Sequence, residues 1–153
     1  MGFLAKLAIH VSGSPPLDLK EAEQNRLMDA LKANLQSPHR RIVVAELPDV
    51  GLVGMGDIAL WSSQNIWEQA TDYVHHSGVI DDIWVEPEFR SLGIFKALLR
   101  DLVAFADKRG AQELVLEYSA SNKEAKTAWT RLGFVTTGVR ASAFTHQLKD
   151  VLS

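Results

Sequence analysis

The chain has 153 residues, 46% of them hydrophobic, and a net charge of -3. That length supports one well-packed core and is short for two, so a single domain over residues 1–153 is expected. The negative charge argues against a nucleic-acid partner held by phosphate contacts, and the absence of cysteine excludes a disulfide framework, a thiolate zinc site and a cysteine nucleophile.

No run of about 18 apolar residues is present, so a transmembrane helix is not expected. Phe3 to Ile9 is apolar but brief, is interrupted by Lys6 and lacks a small-residue cleavage site, which does not suit a signal peptide. Gly2 fails the myristoylation pattern because Lys6 stands where Ser or Thr is needed. The simplest reading is a cytoplasmic protein with no membrane attachment.

Phe3 to Val11 reads as a first strand or an interface strand, ended by Ser12-Gly-Ser-Pro-Pro16. Asp18 and Glu21 have the spacing of a capping box, and Leu27, Met28, Leu31 and Leu35 then mark one face of a helix that stops before Pro38. Arg41 to Leu47 alternates as a strand does, Pro48-Asp49 marks a turn, and Leu52 to Trp61 reads as the returning strand. Glycines at 51, 54 and 56 would let backbones pass closely. Ser62 to Tyr73 is either an excursion over a cleft or a plain surface loop. His75-His76 has no Cys or third spaced His nearby, so no metal site is expected.

Ile83, Trp84 and Val85 belong to a buried strand that Pro87 terminates, because proline has no N–H for the ladder. From Gly93 onward, Ile94, Leu98, Leu102 and Phe105 recur at helical spacing, and Gly110 suits the helix end. Between strand and helix lies a turn whose backbone N–H groups, at the positive end of a helix dipole, suit an anion such as pyrophosphate.

Val85-x-Pro87-Glu88-Phe89 followed by Arg90-x-x-Gly93-x-Phe95 resembles motif A of GNAT-type N-acetyltransferases, where an Arg/Gln-x-x-Gly-x-Gly/Ala turn holds the pyrophosphate of acetyl-CoA. Phe95 departs from the small residue of that pattern; pointed at the core it leaves its N–H available. Farther on, Glu113 to Tyr118 reads as a strand parallel to Ile80–Val85 through a right-handed crossover. Asn122-x-x-Ala125-x-x-x-Trp129-x-x-x-Gly133-Phe134 resembles motif B of the same family, on a short helix stopped by Gly133. Val135 to Val139 and Ala143 to Leu148 then read as terminal antiparallel strands. The resemblance, over roughly Arg41 to Lys149, implies an α+β GNAT fold: a mixed, mostly antiparallel sheet whose central parallel pair splays to admit the pantetheine arm, flanked by helices.

The resemblance also implies an activity: transfer of an acetyl group from acetyl-CoA, as co-substrate, directly to a primary amine of a small molecule or peptide. It places Ile83, Trp84 and Val85 along the cofactor, the Val85 amide at the acetyl carbonyl, the amides of Ser91, Leu92, Gly93, Ile94, Phe95 and Lys96 on the pyrophosphate, Arg90 in support of the turn, and Asn122 on the CoA arm. Lys96 and Lys126 are within reach of the nucleotide phosphates. The family's usual general-acid tyrosine is here Trp129, whose indole N–H is no proton source, which leaves Tyr118 or water to protonate the thiolate. By the two-residue period, Asp81 shares a face with Ile83 and Val85 while Asp82 points away. Asp81 is therefore the first candidate base, with Glu46 on a neighbouring strand in reserve. The competing reading is a non-catalytic CoA-binding or regulatory relative; a phosphate-binding α/β module would need motif B to be coincidence. Exposed edge strands would suit a homodimer.

Overall fold

A computed structural model describes residues 21–63, 75–138 and 141–152. The chain divides into two units, Met1–Glu117 and Tyr118–Ser153. The expected first strand and the Asp18 capping box lie outside the described residues, as does most of the 62–73 excursion.

In the first unit, helix α1 (Glu21–Gln36) packs on strand β1 (Arg40–Leu47). Leu27 and Leu31 are half-buried, whereas Met28 and Leu35 are exposed, so the buried stripe is narrower than the four leucine and methionine positions suggest. β1 turns through Asp49, at φ 61°, into strand β2 (Gly51–Ser63). The hairpin is antiparallel, as the Pro-Asp turn predicts. Strand β3 (His75–Val85) runs antiparallel to β2 and takes in His75-His76, a longer strand than the apolar run alone indicates. It ends at Val85, followed by a single 3-10 turn over Pro87–Phe89.

Strand β4 (Glu113–Leu116) completes a sheet ordered β1-β2-β3-β4, with β4 parallel to β3. The sheet is mixed and mostly antiparallel, in keeping with the expected fold. The parallel register differs from the sequence reading, however: β4 pairs with Ser77 to Ile80, not with Ile80–Val85. β4 also stops at Leu116, two residues before Tyr118.

Helix α2 (Ile94–Asp107) crosses from β3 to β4 and buries Leu98, Leu99, Leu102, Phe105 and Ala106 against the sheet. It can lie close because β2 presents glycine. A Cβ on Gly56 would meet Leu102 Cδ1 at 3.1 Å, and one on Gly54 would meet the Trp84 carbonyl oxygen at 3.0 Å and Leu98 Cδ1 at 3.3 Å. Alternation then sends Val53, Met55 and Asp57 to the opposite face, and all three are buried there. Arg41 ties β1 to the helix through Asp101, with Nη2 donating to Oδ2 at 3.0 Å. That hydrogen bond is the main reason the Asp101 carboxyl lies below its ordinary range.

In the second unit, helix α3 (Lys123–Arg131) is capped by Asn122, whose Oδ1 accepts from the Ala125 N–H at 3.0 Å, and is closed by Gly133 at φ 94°. Trp129 is buried, edge-to-face with Phe134 at 5.1 Å between ring centroids. Among the described residues the expected terminal strands are not found, and Val139, the end of the first, lies outside them. Residues 135–138 form no regular element, and Ala143 to Leu148 gives way to helix α4 (Thr145–Leu152). Leu148, Val151 and Leu152 recur at i, i+3 and i+4, a helical and not an alternating pattern, and Val135 is 78% exposed with no ladder to hold it in a strand.

Candidate active site

The residues between β3 and α2 form a turn that uses two left-handed conformations, Ser91 at φ 69° and Gly93 at φ 83°. Gly93 is the N-cap of α2 and supplies no capping side chain, and the first turn of the helix holds no acidic residue. The first intrahelical bond runs from the Ala97 N–H to the Gly93 carbonyl. The amides of Ile94, Phe95 and Lys96 therefore precede the helical ladder and carry the positive end of its dipole. Phe95 is half-buried and Lys96 exposed. A Cβ at Gly93 would meet nothing within 4 Å, so backbone conformation, not space, requires glycine there. Gly93→Ala is expected to lower stability by about 1–2 kcal/mol through the left-handed penalty, read as a lower urea midpoint; an unchanged midpoint would show that the turn relaxes without strain.

Arg90 folds back on the strand that precedes the turn. Its Nε donates to the Val85 carbonyl at 3.2 Å and its guanidinium lies 5.2 Å from the Trp84 ring centroid, fastening the turn back onto the strand. The sequence does not display this contact.

The β3–β4 ladder ends at the pair Ile80 and Leu116, where β4 itself stops, leaving Asp81 to Val85 with no β4 residue opposite. The Glu86 N–H donates to the Val53 carbonyl at 2.9 Å. Because ladder bonds alternate along an antiparallel strand, the backbone groups of Val85 and Ile83 turn toward the edge that β4 has left. The Arg90 contact to the Val85 carbonyl lies on that edge, and the Val85 N–H points the same way.

The carboxylates are arranged differently from the sequence expectation. Asp57 faces Asp82 and Ile58 faces Ile80, so Asp81 is the extra residue of a β-bulge. The bulge breaks the two-residue period. Asp81 consequently does not share the face of Ile83 and Val85; its carboxylate is bound by Arg40 Nη2, together with that of Asp57. Asp82 is half-buried, and its carboxyl is pushed above the ordinary range by burial, then by Asp57 and Asp81, with Arg40 opposing. Sequence reasoning passed over Asp82 because nothing in the spacing announces a bulge. Glu46 lies exposed on β1, an edge strand separated from β3 by β2, and so not adjacent as expected.

In the second unit, Asn122 commits its amide oxygen to the α3 cap, Lys126 is exposed one turn later, and Tyr118 is half-buried. Trp129 is packed as a core residue. Among the described residues no group of three or more His, Asp or Glu is placed to hold a metal ion, and no helix is long and apolar enough to cross a membrane.

The sequence model of the acetyltransferase (GNAT) family matches residues 10–134. The chain belongs to the GNAT family. It is 34% identical over 91 residues to streptothricin acetyltransferase of Streptomyces lavendulae, a match covering 58% of this chain and 44% of that protein. The chain thus spans less than half the length of the curated relatives it matches. Among solved structures, a putative acetyl transferase from Pyrococcus furiosus superposes with a TM-score of 0.65 at 25% identity, over 91% of this chain and 89% of that one. Aminoglycoside N-acetyltransferase AAC(6')-Iy, solved with the bisubstrate analogue CoA-S-monomethyl-acetylneamine, gives a TM-score of 0.67 at 19% identity, over 94% and 87% of the two chains. That second likeness is one of fold.

Proposed function

We propose that residues 1–153 act as one catalytic domain that transfers an acetyl group from acetyl-CoA to the primary amine of a small cationic acceptor. The observation that carries this reading is the end of the β3–β4 ladder at Ile80 and Leu116, which leaves Asp81 to Val85 without a β4 partner, together with a helix N-terminus with no side-chain cap. The residues fit the co-substrate: the amides leading into α2 meet no acidic neighbour in its first turn, and the Gly93 turn is open where a side chain would stand.

Acetyl-CoA, when bound, supplies an activated acyl thioester. The amides of Ser91 to Lys96 hold its diphosphate, and Arg90 keeps that turn against β3. Ile83 lines the open strand edge, Trp84 between it and Val85 keeps its backbone on β2, and the Val85 N–H polarises the acetyl carbonyl. Asp82 replaces Asp81 as the proposed base, taking a proton from the acceptor ammonium, since its carboxyl is raised above the ordinary range whereas the Asp81 carboxylate is occupied by Arg40. The family resemblance carries Asn122 as a contact of the CoA arm; Lys126, one helical turn later, and Lys96 are proposed to reach the nucleotide phosphates, and the thiolate proton is left to Tyr118 or water.

A cationic acceptor is favoured by three carboxylates, Asp57, Asp81 and Asp82, gathered around Arg40. The names of the relatives, a streptothricin and an aminoglycoside acetyltransferase, agree with it. Localisation in the cytoplasm and a homodimer remain part of the proposal.

Acetyl-CoA at about 100 times its dissociation constant should stabilise the fold by roughly 2.7 kcal/mol, raising Tm by on the order of 5–10 °C for a chain of this size. A melting temperature unmoved at saturating acetyl-CoA would overturn the reading. The buried Trp129 at the family's usual tyrosine position favours one alternative, a CoA-binding relative without turnover. Release of free CoA with a panel of primary amines separates the two.

A further inference from the structure

Two irregularities of β3 coincide. The β2–β3 register shifts at Asp81, and the β3–β4 ladder ends one residue earlier, at Ile80. A bulge bends its strand and increases the local twist, so the backbone from Asp82 to Val85 is re-aimed at the position where its parallel neighbour leaves. A two-strand ladder does not hold such an extra residue by itself, since the bulged residue has no ladder partner.

Arg40 supplies the missing constraint. It reaches from β1 across to β2 and β3: Nε donates to Asp57 Oδ1 at 3.0 Å and Oδ2 at 3.1 Å, Nη2 donates to Asp57 Oδ2 at 2.8 Å, and the same Nη2 binds Asp81 Oδ2. Asp57 is the last β2 residue before the register shift and is only 6% exposed. A buried carboxylate is tolerable only when paired, so the Asp57 contact anchors the guanidinium. The planar fork then has one nitrogen bridging to the bulged residue. Arg41, its neighbour on β1, makes a comparable ion pair with Asp101 on α2, away from the bulge.

We propose that Arg40 is a positioning residue for catalysis: by joining Asp57 to Asp81 it holds the β3 bulge and so sets the direction of the Ile83–Val85 edge that receives the acyl donor. The inference rests on the acetyltransferase reading above. It gives Asp81 a part as the far end of the clamp, in place of the base.

The test uses Asp81→Asn and Arg40→Lys, which keep a polar group or the charge beside Asp57, with Arg41→Met as the control. Acetyl-CoA affinity is measured by calorimetry, and kcat and KM with a primary amine. Asp81→Asn and Arg40→Lys are each expected to raise the Kd and KM for acetyl-CoA about five- to tenfold, with kcat at saturation within about twofold. The two effects should not add, because both cut one clamp. Arg41→Met should leave both constants within about twofold, although it too loses an ion pair. Unchanged acetyl-CoA affinity in both clamp variants, additive effects, or a loss confined to kcat with a shifted pH profile would each overturn the positioning role. Wild-type protein that fails to bind acetyl-CoA would instead sink the underlying reading.

Discussion

Asp82→Asn is expected to lower kcat/KM for the amine by about 10²- to 10⁴-fold, the range for loss of a general base, while acetyl-CoA affinity changes little. Asp82 is the carboxyl of the Arg40 cluster raised by burial first and then by two neighbouring carboxylates. Proton abstraction needs its ionised form, so wild-type kcat/KM should fall as pH drops through that raised value, and the limb should vanish in the variant. Stability has the opposite sign. A carboxyl with a folded pKa above its unfolded value binds protons more readily in the native state. Its contribution is therefore fully present below the ordinary carboxyl range and is lost as pH rises through the raised value. Relative to wild type, Asp82→Asn should gain stability between mildly acidic and neutral pH, seen as a flatter dependence of the urea midpoint on pH. Retention of full kcat/KM with the acidic limb intact would remove Asp82 from the mechanism.

Leu102→Ala is expected to have the largest effect on stability, about 2–5 kcal/mol. Leu102 is fully buried at the centre of the α2 face, with Cδ1 lying over the bare backbone of Gly56. Neither that glycine nor the sheet beneath it can collapse far into the space left. Against a total of about 5–15 kcal/mol for a domain, such a loss should lower Tm by roughly 5–15 °C. Saturating acetyl-CoA should recover part of the loss, because the helix that Leu102 anchors also carries the amides of the Gly93 turn. A cost below about 1 kcal/mol, measured by urea unfolding, would mean that α2 does not bear on β2 as described. Adding Gly56→Ala to Leu102→Ala should restore part of the stability, since the new methyl enters the space vacated by Cδ1.

Much of this protein was legible in its residues. Pro87 after Val85 ends β3, the spacing of Leu98, Leu102 and Phe105 defines the buried face of α2, and Asn122 with Gly133 brackets α3. These are local effects: a missing N–H, a helical period, a cap and a left-handed stop are each set by a few neighbouring residues. The Arg90-x-x-Gly93 turn and the motif on α3 pointed to the family for the same reason. The C-terminal segment failed as a strand because β-rich composition is not enough without a partner edge. The helical spacing of Leu148, Val151 and Leu152 was present in the sequence and was the better guide.

The sequence by itself determined the order of elements from α1 to α3, the anion-suited turn before α2 and membership of an acetyltransferase family. Only the tertiary structure decided which β3 residues pair with β4, that Asp81 is bulged, that Arg40 bridges Asp57 and Asp81, and that burial and two neighbouring carboxylates push the Asp82 carboxyl above its ordinary range. The reason is physical. Register and burial depend on contacts between residues 17 to 41 positions apart, where the two-residue period of a single strand carries no information about its neighbour, and one inserted residue reverses the face of everything before it.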